Sequence, residues 1–208
     1  MPAFHRRKKD AGVVGRLVVG YGELELCLAK CVGMALAFKR NPPSDPQTRY
    51  IHRIRYENFA IKLIFRLRGE KKRIDTASKI MRQAYTQVGL RSEFDAAINA
   101  LRACLGVRNL LAHCAWTQSK KRGLFFINLE DVAKLPRKLD LTDWRHASAK
   151  TLADLESYFS YTEQLLDFLA GLFAVKTQLM RGPSSLPEPR KRALPKPNAK
   201  LFPHKSPR

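Results

Sequence analysis

The sequence predicts an all-α protein: an antiparallel bundle of four to five helices with a small β-hairpin inserted near residues 115–128. Three observations carry the prediction. Apolar residues recur at three- and four-residue spacing through long segments. Proline and glycine breaks separate those segments. The period changes only around Trp116, where two short runs flank a basic turn.

Residues 1–10 read as a disordered basic arm. From Gly12 to about Lys39, Leu17, Tyr21, Leu24, Leu28, Cys31 and Ala35 trace one helix. Gly15, Gly20, Gly22 and Gly33 lower its propensity but permit close helix packing. The run Asn41-Pro42-Pro43-Ser44-Asp45-Pro46 breaks the chain. Ile51, Ile54, Phe59, Leu63, Ile64 and Leu67 then mark a second helix, closed at Gly69. Ile74, Ala77, Met81, Ala84 and Val88 mark a third, closed at Gly89. Ser92 opens a fourth, with Asp95 as its capping-box partner. Its stripe is Phe94, Ala97, Ile98, Leu101, Cys104, Leu105, Leu111 and Ala112.

Trp116-Thr117-Gln118 and Leu124-Phe125-Phe126-Ile127, joined through Lys120-Lys121-Arg122-Gly123, form the hairpin. Residues 130–147 are irregular apart from a helical turn at Glu130–Ala133. A long last helix covers 148–180, and Gly182-Pro183 stops it. Seven of the twelve prolines lie in 182–208, so this is a basic proline-rich tail with no core of its own. The expected organisation is arm 1–10, helical domain 11–181 and tail 182–208. No run of 18 apolar residues exists, so no transmembrane helix and no membrane partner are expected.

The net charge of +21 points to a polyanionic partner, chiefly nucleic acid, RNA or DNA. The arm contributes +3 and the tail +6, which leaves +12 on residues 11–181. Residues 39–73 hold eleven basic groups against Asp45, Glu57 and Glu70. Arg53, Arg55, Arg66, Arg68, Lys71, Lys72 and Arg73 are therefore candidate phosphate contacts, with Lys120, Lys121 and Arg122 of the hairpin turn. Cys27, Cys31, Cys104 and Cys114 show no Cys-x-x-Cys spacing and read as buried free thiols in a reducing cytoplasm. No metal site and no cofactor are expected.

The most informative segment is Arg108-Asn109-Leu110-Leu111-Ala112-His113. Arg108 falls on the apolar stripe, where an unpaired arginine costs several kcal/mol and needs a partner, a groove or an interface. Asn109 and His113 are i,i+4 neighbours and share a face with Gly106. A structural reading stands beside the functional one: Arg108 in an ion pair with Glu25 or Glu156, and His113 as an end-of-helix residue. Glu25 lies near the apolar face of its helix and is a candidate to orient Arg108 or His113.

This segment resembles the motif of the HEPN superfamily, an arginine followed after four to six residues by a histidine, often with asparagine after the arginine. Arg108, Asn109 and His113 match its shortest form. The resemblance rests mainly on residues 91–117. It implies an α-helical bundle, and for many members a metal-independent endoribonuclease of defence or toxin–antitoxin systems whose site forms in a homodimer. Some members place a tyrosine two residues after the histidine, where this chain has Ala115.

In such a site the ribose 2′-OH is the nucleophile. His113 moves its proton or protonates the leaving oxygen, Arg108 holds the phosphate and Asn109 orients phosphate or imidazole. Two other functions fit the same composition: a non-catalytic nucleic-acid-binding module, and an interaction protein with an acidic partner.

Overall fold

The computed structural model describes Phe4 and residues 7–40, 45–119, 123–134, 136 and 138–180. Its helices are α1 (Lys8–Val19), α2 (Tyr21–Lys39), α3 (Pro46–Phe65), α4 (Glu70–Gln87), α5 (Arg91–Ala112), the short α6 (Leu129–Ala133) and α7 (Ala149–Leu179). Three strands, β1 (Cys114–Ser119), β2 (Gly123–Asn128) and β3 (Arg145–Ala147), make one antiparallel sheet in that order. The fold class is thus the expected helical bundle with a small β insertion. No helix among the described residues is long and apolar enough to cross a membrane.

Several boundaries differ from expectation, each for a local reason. The helix expected over 12–39 is two helices, α1 and α2, parted at Gly20 in the glycine-rich stretch that carries least helix propensity. The helix starts at Lys8, and Phe4 packs on Trp116 with ring centroids 5.4 Å apart. This part of the expected arm is therefore built into the fold. Asp45 caps α3 by accepting the Thr48 N–H at 2.7 Å. No capping box opens α5: Asp95 instead accepts from Arg91 Nε at 3.0 Å, an i,i+4 ion pair. Gly89 does end α4, with φ of 76° that lets the Leu90 N–H reach back to the Tyr85 carbonyl at 2.8 Å. The stretch expected to be irregular holds α6 and also β3, which adds a third strand to the hairpin. The tail lies outside the described residues.

The described chain divides into two units. The first comprises 4–21 and 103–160. Here β2 is the central strand, with Trp116 opposite Phe126 and Leu124 opposite Ala147. Val14, Leu124, Phe126, Ala147 and Leu152 form its core, and Leu110, Cys114 and Trp116 pack against it. One face of the sheet is thus covered, and the end of α5 is held over the same core.

The second unit comprises 22–102 and 161–180. Its centre is aromatic: Tyr85 stacks on Phe173 at 4.3 Å and lies 5.9 Å from Phe94. The Tyr85 hydroxyl donates to the Cys31 carbonyl, and the Cys31 thiol donates to the Leu166 carbonyl. Of the early glycines, Gly33 is the one that permits close packing. A Cβ there would stand 2.7 Å from Glu57 Cα, so only glycine lets α2 and α3 approach this far.

Cys31 has a measurable consequence. Burial pushes its thiol up to about 12. Once unfolded, the thiol titrates near 9. Between these values the folded state keeps a proton that the unfolded state loses, so stability falls as pH rises, by about 1.4 kcal/mol per pH unit. Urea midpoints from pH 8 to 10 should therefore drop more steeply for the wild type than for Cys31→Ala. Equal slopes would show that the thiol is not protected.

Candidate active site and basic surface

The candidate catalytic residues sit at the C-terminal end of α5, in the first unit. Leu105, Val107 and Leu111 are buried there. Arg108 and Asn109 are half-buried, and Ala112 and His113 are exposed. Arg108 lies in line with the apolar stripe, as expected, yet it is not enclosed. Its Nη1 donates to Asn109 Oδ1 at 3.0 Å. The amide of Asn109 therefore orients the guanidinium directly.

His113 follows the last helical residue and is pinned through its backbone. Its N–H donates to the Asn109 carbonyl at 3.1 Å, and its carbonyl accepts the Leu129 N–H at 3.0 Å. The second bond ties the end of α5 to the start of α6. The imidazole is thus an exposed group on a fixed base. Gly106, one turn earlier than Asn109, is exposed, and nothing comes within 4 Å of the place a Cβ would take. Ala115, at the position where some resembled proteins have tyrosine, is in β1 opposite Ile127.

Two further residues bear on this segment: Cys114, expected as a buried free thiol and found free but only partly buried, and Arg145, which the sequence did not mark. Cys114 donates its thiol to the Leu110 carbonyl at 2.7 Å, and burial pushes it up to about 12, so it is no nucleophile at neutral pH. The charge of Arg145, on β3, works against that rise. Arg145 also pairs with Asp131 at 3.6 Å. No sequence signal marked it, because its strand forms only by adding to β2.

Glu25 has a partner that the sequence did not point to. It is buried at 4% exposure, deeper than a position near the apolar face requires. Its partner is Arg73, whose Nη1 stands 2.8 Å from Glu25 Oε2. Arg73 also donates to the Leu67 carbonyl at 3.0 Å and lies over the Phe65 ring. This candidate phosphate contact is therefore committed to holding the second unit together. Glu156, the other anion considered for Arg108, pairs with Arg16.

The remaining basic candidates of 39–73 belong to the second unit, on α3, α4 and their connection. Arg53, Arg55, Arg66, Arg68, Lys71 and Lys72 are exposed, and Arg53 pairs with Glu57 at 3.0 Å. Lys120, Lys121 and Arg122 lie outside the described residues. The apolar residues between these cations do mark the expected helix, α3, but not all of them face the core. Ile51 and Phe59 are 61% and 54% exposed, while Ala60 and Ile64 are buried. Tyr50, Ile54 and Phe65 are exposed on the same helix. The surface of α3 is therefore aromatic and basic together, a composition suited to stacking bases between phosphate contacts. Compared with protein-family models, curated proteins and solved structures, the chain matches none at a significant level.

Proposed function

We propose that the chain is a HEPN-like, metal-independent endoribonuclease that cleaves RNA with Arg108, Asn109 and His113, and that its active form is a homodimer. The observation that carries this reading is the Arg108–Asn109 hydrogen bond of 3.0 Å, one turn before an exposed histidine at a pinned helix end. A guanidinium oriented in this way brings a fixed positive charge to a phosphate. The exposed imidazole is free to approach the ribose 2′-OH or the leaving 5′-oxygen. The nucleophile belongs to the substrate, so the scheme needs no activated protein side chain. The products are a 2′,3′-cyclic phosphate and a 5′-hydroxyl. The open surface at Gly106 leaves room for a second copy or for the RNA backbone.

The decisive experiment is incubation of purified wild-type and His113→Ala protein with total RNA in EDTA. Cleavage by the wild type alone supports the reading; RNA left intact by both overturns it.

The exposed cations and aromatics of α3 favour a second reading, nucleic-acid binding without cleavage, and they also serve the first. In either case affinity should fall steeply with salt, because each phosphate contact releases about one counterion. Deleting 182–208 removes +6 of charge. The truncated protein should bind RNA more weakly and with a flatter salt slope, at nearly unchanged melting temperature. An unaltered slope would exclude the tail from the interface.

A further inference from the structure

The outward face of α3 carries a pattern that neither the ribonuclease scheme nor phosphate contact uses. Ile51, Ile54, Asn58, Ile61 and Phe65 follow one another at spacings of three, four, three and four residues. This is the a/d repeat of a helix seam that packs knobs into holes against another helix. Ile51, Ile54 and Phe65 are 61%, 37% and 41% exposed, Asn58 is exposed and Ile61 is half-buried. The opposite side of α3 is the one that packs: Ala60 and Ile64 are buried, and the Glu57 backbone lies against Gly33 of α2. The seam is therefore not the buried stripe of the bundle. A line of apolar side chains at this spacing, left facing water, marks a surface for a partner helix.

The chemistry around the seam narrows the partner. Arg55 and Lys62 stand at the e positions beside it, with Arg66 one turn further, and all three are exposed. None of them makes an ion pair among the described residues. The one carboxylate of the helix, Glu57, is at a g position on the side that packs on α2, and Arg53 holds it at 3.0 Å. A partner helix thus meets cations, and its own e and g positions must be acidic. A second copy laid antiparallel would set Arg55 and Lys62 against each other, and one laid parallel would need Glu57, which is committed to Arg53. Bases stack on aromatic rings, yet Tyr50 and Phe59 stand at the edges of this face, and three of the five seam residues are isoleucines with no π face. Asn58, in the middle of the seam, is the polar a-position residue that fixes register. We infer that the outward face of α3 docks an acidic amphipathic helix of a partner protein, with the seam side chains as knobs and Arg55 and Lys62 paired to the partner's carboxylates. The surface belongs to the second unit alone and is independent of the ribonuclease reading.

Fluorescence anisotropy of the full chain with a labelled three-heptad peptide tests it. The peptide carries Ile at a, Leu at d, Asn at the central a position and Glu at e and g. Its control is a scrambled peptide of the same composition, since a chain of net charge +21 attracts any polyanion. At physiological salt the ordered peptide should bind one saturable site at least about tenfold more tightly than the scrambled one. Ile51→Ser/Ile54→Ser keeps every charge and should remove that preference while circular dichroism shows an intact helical fold. Arg55→Glu/Lys62→Glu should also lose it, and should gain a preference for an ordered Lys peptide over its own scramble. Equal affinity for ordered and scrambled Glu peptides, an unchanged preference in the isoleucine variant, or no gain for the Lys peptide would overturn the seam. An isoleucine variant that keeps peptide binding but loses binding to poly(U) or to phosphatidylserine vesicles, or loses self-association, would overturn it too and assign the face to RNA, a membrane or a second copy. If the isoleucine variant does not fold, the charge variant against the Glu and Lys peptides still decides.

Discussion

His113→Ala should abolish RNA cleavage while leaving RNA affinity within about twofold, since one imidazole adds little to an attraction dominated by phosphates. Loss of a positioned acid or base typically costs about 10²–10⁴ in rate. Arg108→Ala should lower the rate by about 10²–10³ and weaken binding as well, because it removes a charge and a transition-state donor together. Arg108→Lys should restore binding better than cleavage, since ammonium keeps the charge and loses the planar fork. Asn109→Ala separates orientation from charge: the guanidinium loses its 3.0 Å acceptor, so cleavage should fall while the salt slope of binding stays the same. Single-turnover cleavage and filter binding on the same preparations give both quantities. If all four variants and the wild type leave RNA equally intact and bind it equally well, the segment is structural.

Arg73→Met is the variant expected to unfold the protein most readily without touching the candidate active site. It deprives the buried Glu25 carboxylate of a cation 2.8 Å away. Breaking a buried pair from one side costs about 3–5 kcal/mol, and the lower end applies here because Arg73 is partly exposed. For a chain of this length that lowers the melting temperature by roughly 6–12 °C. The double variant Glu25→Leu/Arg73→Met should recover much of the loss, since no charge is then left buried. By contrast Arg16→Met should change the melting temperature little. The Arg16–Glu156 pair is shorter, at 2.5 Å, but both side chains are exposed and water screens them. The same variants report on function: with Glu25 held by Arg73, Glu25→Gln should leave the pH profile of cleavage unchanged. A shifted profile would return Glu25 to the role of a residue that orients the site.

The helices, their main breaks and the hairpin were legible in the sequence because each rests on local chemistry. Apolar spacing sets helix existence, and Gly89 ends α4 through its own backbone freedom. The place of Glu25 near the apolar face was legible for the same reason, from Val18, Tyr21, Leu28 and Val32, while its full burial was not. Partners were not. Glu25 meets Arg73, 48 positions along the chain, and Asp95 is taken by Arg91 rather than by a cap. An ion pair is decided by which side chains the packing brings within a few ångströms, and no spacing rule encodes that. On α3, apolar residues lie around much of the circumference, so periodicity alone did not say which side is buried. The close approach at Gly33 bears on that choice: it brings the backbone of Tyr56 and Glu57 against α2, while Ile51 and Phe59 stay exposed among arginines. The Arg108–Asn109–His113 segment was legible as a string of residue types. Only the tertiary structure decided that its arginine is half-covered and amide-bound and that its histidine stands exposed, because those properties depend on where the core of the first unit ends.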